Sequence, residues 1–152
     1  MRIASLLACP LLATSVVAGA AADTVDGPLR ADVLRVIDGD SLEIRARVWL
    51  GLDVTVQVRV RGLDAPELRA RCPDERARAE EARARLAALA GPEVVLVAIE
   101  EDKFGGRVTA DVENATGANL AEAMIGAGLG RRYDGGKRAG WCTTSRGSGD
   151  WR

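Results

Sequence analysis

The sequence of 152 residues contains no histidine and few aromatic residues: three tryptophans, one tyrosine and one phenylalanine. Histidine is the side chain that most often acts as a general base near neutral pH, so any proton acceptor in this chain has to be another group. The scarcity of aromatic rings leaves aliphatic side chains to fill the core and argues against a surface built mainly on aromatic stacking. With 47% hydrophobic residues, a chain of this length has room for one ordinary domain.

Long hydrophobic runs are absent except at the N-terminus. Residues 1–22 combine an early Arg2, an apolar stretch of about fifteen residues and Ala-x-Ala patterns that end at Ala20 and Ala22, which is typical of a secretory signal peptide. The stretch is too short, and too interrupted by Pro10, for a good membrane span. We therefore expect cleavage after about Ala20 or Ala22, a secreted or periplasmic protein, and no membrane span in the mature chain.

Cysteine is also scarce, and without histidine or a Cys-x-x-Cys spacing the chain lacks the usual ligands of a cysteine-based metal site. Cys9 lies in the signal segment, where a lipoprotein signal ending at this cysteine is the alternative to a cleaved secretory signal. Cys72 and Cys142 remain as an even pair, for which a disulfide is the expected state in an oxidising compartment; two unrelated buried thiols are the alternative. We expect residues 23–142 to form the domain and residues 143–152 to form a flexible tail.

Five short strands are predicted, three from the alternation of apolar and polar residues, one from a short apolar-rich stretch at 31–37 and one from β-branched residues at 94–99. The expected elements are strands at 31–37, 41–50, 54–60, 94–99 and 107–112 and helices at 74–90 and 119–127. In the second and third strands the inward residues are expected to be Leu42, Ile44, Ala46, Val48, Leu50, Val54, Val56, Val58 and Val60. This order of elements predicts an α+β, mainly β fold: a five-stranded OB-type Greek-key barrel with two or three attached helices.

Three polar segments carry side chains that a core does not require. They are Ile37-Asp38-Gly39-Asp40-Ser41, the stretch from Arg59 to Glu67, and Asp102-Lys103-Phe104-Gly105-Gly106-Arg107. Each alone fits an ordinary turn, strand or hairpin loop. In this order and spacing, the three together resemble the thermonuclease family, the staphylococcal-nuclease-like proteins, over residues 31–133.

The resemblance implies a monomeric, calcium-dependent nuclease that hydrolyses phosphodiester bonds of DNA, with RNA as a further candidate substrate. Asp40, Asp64 and the backbone carbonyl of Ala65 match the family's calcium ligands, and ligands made only of oxygen suit this hard cation. Glu67 matches the general base that activates a water molecule. A carboxylate can fill that role in a chain without histidine.

The same resemblance assigns the residues that meet the substrate. Arg59 and Arg107 match the two arginines that bind the phosphate and stabilise charge in the transition state. Lys103, Phe104 and Tyr133 are the candidate substrate-binding residues. Phe104 lacks the phenol that a tyrosine would offer to the nucleotide phosphate, and Tyr133 is a candidate to stack on a base. The pattern departs from the family where two adjacent glycines place one extra residue before Arg107, so its reach depends on a bulge or a different hairpin.

Net charge limits how nucleic acid could be bound. Without Arg2 the mature chain has 20 basic and 22 acidic residues, a net charge of −2, and so lacks a general positive field. The candidate local clusters are Arg69 and Arg71 beside Glu67, and Arg131, Arg132, Lys137 and Arg138 around Tyr133; ordinary solvated charges are the alternative. Two other functions stay open: a noncatalytic secreted OB-fold module that binds nucleic acid, and an envelope interaction protein.

Overall fold

Eight strands and two helices make up the part of the chain that the structure describes. The structure is a computed structural model, and it describes residues 23–103 and 105–142, so the predicted signal peptide, Phe104 and the predicted tail lie outside the described residues. The elements are β1 (Thr24–Val25), β2 (Leu29–Asp38), β3 (Ser41–Trp49), β4 (Leu52–Val60), β5 (Leu63–Asp64), α1 (Pro73–Ala90), β6 (Glu93–Glu101), β7 (Arg107–Asn114), α2 (Leu120–Gly126) and β8 (Arg131–Arg132). Neither helix is long and apolar enough to cross a bilayer.

Five of the strands close into a barrel. Hydrogen-bonded neighbours follow the order β6, β2, β3, β4 and β7, and β7 pairs again with β6. All of these pairings are antiparallel except that of β4 with β7, which is parallel. The predicted fold, an α+β and mainly β structure with a five-stranded OB-type barrel and attached helices, is confirmed.

The barrel interior is aliphatic, as the scarcity of aromatic residues requires. Leu42, Ile44 and Val58 are fully buried in it together with the other inward residues of β3 and β4 nearest the barrel centre. The expectation that Val48, Leu50 and Val54 also point into the core is wrong: Leu50 is 91% exposed, and Val48 and Val54 are exposed as well. Past Ala46, β3 pairs only with β4, so this end of the hairpin extends beyond the strands that would cover it.

Helix α1 begins at Pro73, a residue whose fixed φ suits the first helical position, and it ends before Gly91, whose φ is 64°. Its buried face consists of Glu75, Ala79, Ala82, Leu86 and Ala90. Four of these five side chains are apolar, as expected for a helix laid on a barrel. The buried Glu75 is the exception, and it belongs to the site described below.

A glycine lets the turn between β2 and β3 lie very close to α1. A Cβ added at Gly39 would lie 2.7 Å from the Cβ of Ala65 and 2.8 Å from the Cβ of Ala82. Both distances are shorter than real Cβ contacts allow, so only glycine fits without movement of its neighbours. This close approach places Asp40, the next residue, against the turn that carries Asp64 and Ala65.

Arg61, which the sequence leaves without a role, supports a bulge in β6. The register of β6 against β7 shifts between Val97 and Glu100, and Ala98 within this shift has a φ of 51°. The Arg61 guanidinium donates to the backbone carbonyls of Ala98 and Thr109 and pairs with Glu100 at 3.0 Å. Arg61 therefore holds the strand irregularity in place, and it is also among the residues that line the cleft described below.

Candidate functional site

Most of the side chains singled out in the sequence meet at one open cleft on the barrel. The cleft has a volume of about 980 Å³. Its walls include the following predicted site residues: Asp40, Arg59, Glu67, Lys103, Arg107 and Tyr133. Asp64 and Ala65 lie under one edge of the cleft and are buried, with 4% and 2% of their surface exposed. Phe104, the remaining predicted substrate contact, lies outside the described residues.

Arg59 and Arg107 project from the same face of the sheet. In the parallel pairing of β4 with β7, Gln57 is opposite Arg107 and Arg59 is opposite Thr109, so the two arginines are two residues apart along adjacent strands. The extra glycine does not move Arg107 out of the site. Gly105 and Gly106 have φ angles of 57° and 66° and form the turn that makes Arg107 the first residue of β7.

Arg107 is oriented by a buried carboxylate. Its Nε and Nη2 atoms both lie 2.9 Å from Oδ2 of Asp102, a side chain that is almost fully buried. Thr109 Oγ1 donates to the same oxygen at 3.5 Å. Asp102 was noted in the sequence only as part of a polar loop, and the structure shows it as the residue that fixes Arg107 in the cleft.

Both oxygens of Asp40 are engaged. Ser41 Oγ donates to Oδ1 at 2.7 Å, while Oδ2 lies 3.0 Å from Arg59 Nη2 and 2.8 Å from Arg138 Nη2. The ion pair with Arg59 links the predicted phosphate-binding side chain to the predicted calcium ligand. The contact with Arg138 was not expected.

Both oxygens of Asp64 are engaged as well. Oδ1 accepts from Nε of Arg138 at 2.6 Å, and Oδ2 accepts from Nη2 of Arg131 at 2.8 Å and from Nε1 of Trp141 at 3.1 Å. Asp64 in β5 pairs with Arg131 in β8, which brings the C-terminal part of the domain to this carboxylate. These donors all come from residues 131–141.

Glu67 completes a group of three carboxylates around one guanidinium. Nη1 of Arg138 donates to Glu67 Oε1, so Arg138 contacts Asp40, Asp64 and Glu67 at once. Burial alone would lower the pKa of Arg138, but the charges of Asp40, Asp64 and Glu67 raise it above its ordinary value. The Glu67 side chain is 46% exposed, and its backbone N–H donates to Oε1 of the buried Glu75 at 3.3 Å.

A fourth carboxylate, Asp38, lies at this corner and was not predicted as a site residue. Burial, followed by the nearby charges of Asp40 and Glu67, raises its pKa above the ordinary value. Its Oδ1 atom is buried and has no hydrogen-bond partner among the described residues. Nothing in the sequence beyond its position two residues before Asp40 marks Asp38 as part of the site.

The donor set agrees in chemistry with the predicted calcium site. Carboxylate and carbonyl oxygens are the ligands that calcium prefers, and the unpartnered oxygen of Asp38 adds one that no protein donor satisfies. The distances between the carboxylates of Asp40, Asp64 and Glu67 suit the guanidinium group of Arg138, which lies among them and binds all three. Within residues 23–103 and 105–142, three potential ligand atoms lie within 4.8 Å of one another in one place, at Cys72, Glu75 and Cys142. The two cysteines there form a disulfide with each other and so offer no thiolate to a metal.

The residues that cover the carboxylates form a segment that we call the C-terminal strap, residues 134–142. Cys142 forms the expected disulfide with Cys72, with a Cα–Cα distance of 6.0 Å. Arg131 donates to the carbonyl of Ala139 at 2.7 Å, and its guanidinium lies 3.7 Å from the centre of the Trp141 ring. The strap is therefore attached at its last residue by a covalent bond and held against β8 just before it.

Tyr133 lies in the cleft but faces arginine side chains. The guanidinium carbons of Arg59 and Arg138 lie 5.6 and 5.9 Å from its ring centre, within the range of cation–π contacts. Its hydroxyl donates to the carbonyl of Gly136 at 2.7 Å, at the start of the strap. Tyr133 is therefore in contact with two cationic side chains and with the strap.

The basic cluster expected around Tyr133 is largely neutralised within the protein. Arg131 and Arg138 bind the site carboxylates, and Arg132 forms two hydrogen bonds with Glu122, at 2.8 and 2.7 Å. Lys137 is exposed on the strap. Of these cations, Arg131 and Arg138 pair with acidic residues of the site, which the sequence did not show.

No protein-family model matches the chain, and the search of curated proteins finds no match. The interpretation of the site therefore depends on the geometry of the described residues and on the resemblance of the three polar segments.

Proposed function

We propose that the chain is a calcium-dependent nuclease that hydrolyses phosphodiester bonds in DNA, with RNA as a further substrate. The observation that carries this proposal is the meeting of Arg59, Arg107 and Glu67 in one cleft, with Asp40 and Asp64 at its edge. A barrel that only needed to fold could place apolar residues here, since a buried ion pair often stabilises a protein no more than well-packed apolar side chains do.

The two arginines suit the charge that develops during the reaction. Attack on a phosphodiester builds negative charge on the phosphoryl oxygens, and a guanidinium can donate two parallel hydrogen bonds to them. Arg59 and Arg107 project from one face of adjacent strands, and each is already oriented by an aspartate, Arg59 by Asp40 and Arg107 by Asp102. Such side chains lose little freedom when they bind a phosphate.

Glu67 supplies the proton acceptor. It lies on the wall of the same cleft, is partly exposed to solvent, and follows a turn whose backbone is held by Glu75. A carboxylate in reach of solvent can accept a proton from an attacking water molecule, which removes the need for histidine. The general base would act only when Arg138 no longer binds it.

Asp40, Asp64 and the carbonyl of Ala65 would hold the calcium ion, with Asp38 beside them. When bound, calcium supplies positive charge that neutralises the phosphate and orients it. The protein's own part is to keep these oxygens buried and fixed. Gly39 does so by allowing the turn before Asp40 to lie against Ala65.

Cleavage of single-stranded DNA by purified residues 23–142 tests the proposal. The wild type should cleave with calcium and lose activity with a chelator, and Glu67→Gln should lose about 10²-fold or more in rate, the usual contribution of a general base. Arg83→Gln, an exposed change on α1 away from the cleft, serves as the control and should keep wild-type activity. Equal cleavage in all samples, or none in any, would contradict the mechanism.

The rival function is a noncatalytic OB-fold module that binds nucleic acid. It is favoured by one observation: Arg138 occupies all three carboxylates that the reaction would use. A gel-shift experiment on the same samples separates the two functions. Retention of DNA by the wild type without cleavage at any calcium concentration would support the binding module.

A further inference from the structure

We propose that Arg138 and a divalent cation compete for the same carboxylates, so that Arg138 sets the cation affinity of the site. This inference rests on the proposed function and adds a residue that the family resemblance does not assign. In the state described here the guanidinium binds Asp40, Asp64 and Glu67 together. Binding of the cation requires Arg138 to leave.

The competition follows from the atoms involved. Arg138 Nη2 lies 2.8 Å from Asp40 Oδ2, and Arg138 Nε lies 2.6 Å from Asp64 Oδ1. These hydrogen bonds use lone pairs on the two carboxylates that would bind a cation, and the four oxygens of Asp40 and Asp64 all have donors already. A guanidinium and a divalent cation also repel each other at such short range.

Removal of Arg138 alone would leave Asp64 Oδ1 without the donor described above and would take one of two donors from Asp40 Oδ2. Asp64 Oδ1 has Arg138 as its donor, whereas Asp64 Oδ2 keeps Arg131 and Trp141. Asp40 Oδ2 would keep its ion pair with Arg59, and Asp40 Oδ1 would keep Ser41. Arg138 is thus the donor shared by both predicted ligands, and its departure leaves the other contacts in place.

The strap keeps the competitor close to the site. Arg138 lies four residues before Cys142, whose disulfide with Cys72 fixes the end of the strap, and five residues after Tyr133, whose hydroxyl binds the strap at Gly136. A side chain held between two such attachments acts as an intramolecular ligand at high effective concentration. The Arg138 side chain is 31% exposed and already lines the cleft, so a path into solvent lies beside the carboxylates that it binds.

Calcium titration by calorimetry tests the proposal on the full chain, with three proteins compared. Arg138→Gln should bind calcium about tenfold or more tightly than the wild type, because the wild type has to release Arg138 before the cation can bind. Lys137→Gln removes the same charge from the neighbouring residue, which is exposed, and should match the wild type within about twofold.

A second measurement separates competition from a general effect of charge. In ¹⁵N spectra of the wild type, the Nε–H signal of Arg138, assigned by through-bond correlation to the backbone amide of the same residue, should be observed in chelator. At saturating calcium it should shift or broaden, because its bond to Asp64 is lost. This readout needs only the wild-type protein, so it stands even if Arg138→Gln does not fold.

The outcomes distinguish this inference from the proposed function. Equal calcium affinity in the wild type and Arg138→Gln, or an Nε–H signal unchanged at saturating calcium, would overturn the competition while cleavage of DNA could still be observed. Tighter binding by Arg138→Gln without cleavage by any variant would support the competition and refute the nuclease. Absence of calcium binding in both proteins at millimolar concentrations would overturn both.

Discussion

Replacement of Gly39 by alanine should destabilise the protein through two steric clashes beside the site. The added Cβ would lie 2.7 Å from Ala65 Cβ and 2.8 Å from Ala82 Cβ, which is 0.7 and 0.6 Å closer than the 3.4 Å at which ordinary contact begins. Both neighbours are buried methyl groups, one in the turn after β5 and the other on α1, so neither can swing away as a long side chain would. Overpacking of a rigid site costs about 1–3 kcal/mol, and two simultaneous clashes place Gly39→Ala in the upper half of that range.

Urea unfolding of residues 23–142, followed by circular dichroism in chelator, measures this cost. The midpoint should fall without a change in slope, since the surface exposed on unfolding stays the same. Gly126→Ala in α2 is the matched control, because an added Cβ there meets no atom within 4 Å. We expect that control to be stabilised by about 0.5–1 kcal/mol, the usual gain from alanine over glycine in a helix.

A double-mutant cycle shows whether the clash is the cause. Ala82→Gly removes one of the two contacts, so the cost of Gly39→Ala should be smaller in that background than in the wild type. A loss below about 0.5 kcal/mol for Gly39→Ala would refute the close approach of the turn to α1, because typical surface substitutions cost no more than that. Additive effects in the cycle would show that the loss has another cause.

Two further predictions concern the same corner of the molecule. Burial and the charges of Asp40 and Glu67 raise the pKa of Asp38, so ionisation of this carboxyl destabilises the folded state as the pH rises through that raised pKa. Asp38→Asn should therefore unfold at a higher temperature than the wild type at pH 7 in chelator. This advantage should disappear well below about pH 4, where the carboxyl is protonated in both the folded and the unfolded state. An unchanged melting temperature at pH 7 would contradict the assigned environment of Asp38. Replacement of both Cys72 and Cys142 by serine should lower the free energy of unfolding by roughly 4 kcal/mol, as expected for a cross-link that spans 70 residues. If urea unfolding shows a loss under about 1 kcal/mol, the strap is held in place without the disulfide.

The fold could be predicted from the sequence where local pattern and burial agree. Alternation placed the barrel strands, and the run of helix-forming residues between Pro73 and Gly91 placed α1 within one residue of its observed start. The prediction failed at Val48, Leu50 and Val54, where alternation continues beyond the part of the hairpin that other strands cover. A two-residue period shows which side chains share a face, but not how far the covering elements extend.

From the sequence we could predict only those site residues that lie close together along the chain, within the three polar segments. Asp40, Arg59, Glu67 and Arg107 come together in the cleft, as the three polar segments suggested. The contacts of Arg138 could not be found in this way, because its bond to Asp40 joins residues 98 positions apart. One signal was present: a disulfide between Cys72 and Cys142 brings the residues before Cys142 close to those just after Glu67.

The charges at this corner explain why the cation would matter for substrate binding in a protein with a net charge of −2. Asp38, Asp40, Asp64 and Glu67 face three guanidinium groups, those of Arg59, Arg131 and Arg138, which leaves one negative charge in excess when all are ionised. Phosphate would be repelled by such a corner, whatever the orientation of Arg59. A divalent cation that replaces Arg138 would remove this excess negative charge, and the displaced Arg138 would be free to add its positive charge to the cleft. Attraction of the substrate would therefore follow cation binding instead of preceding it.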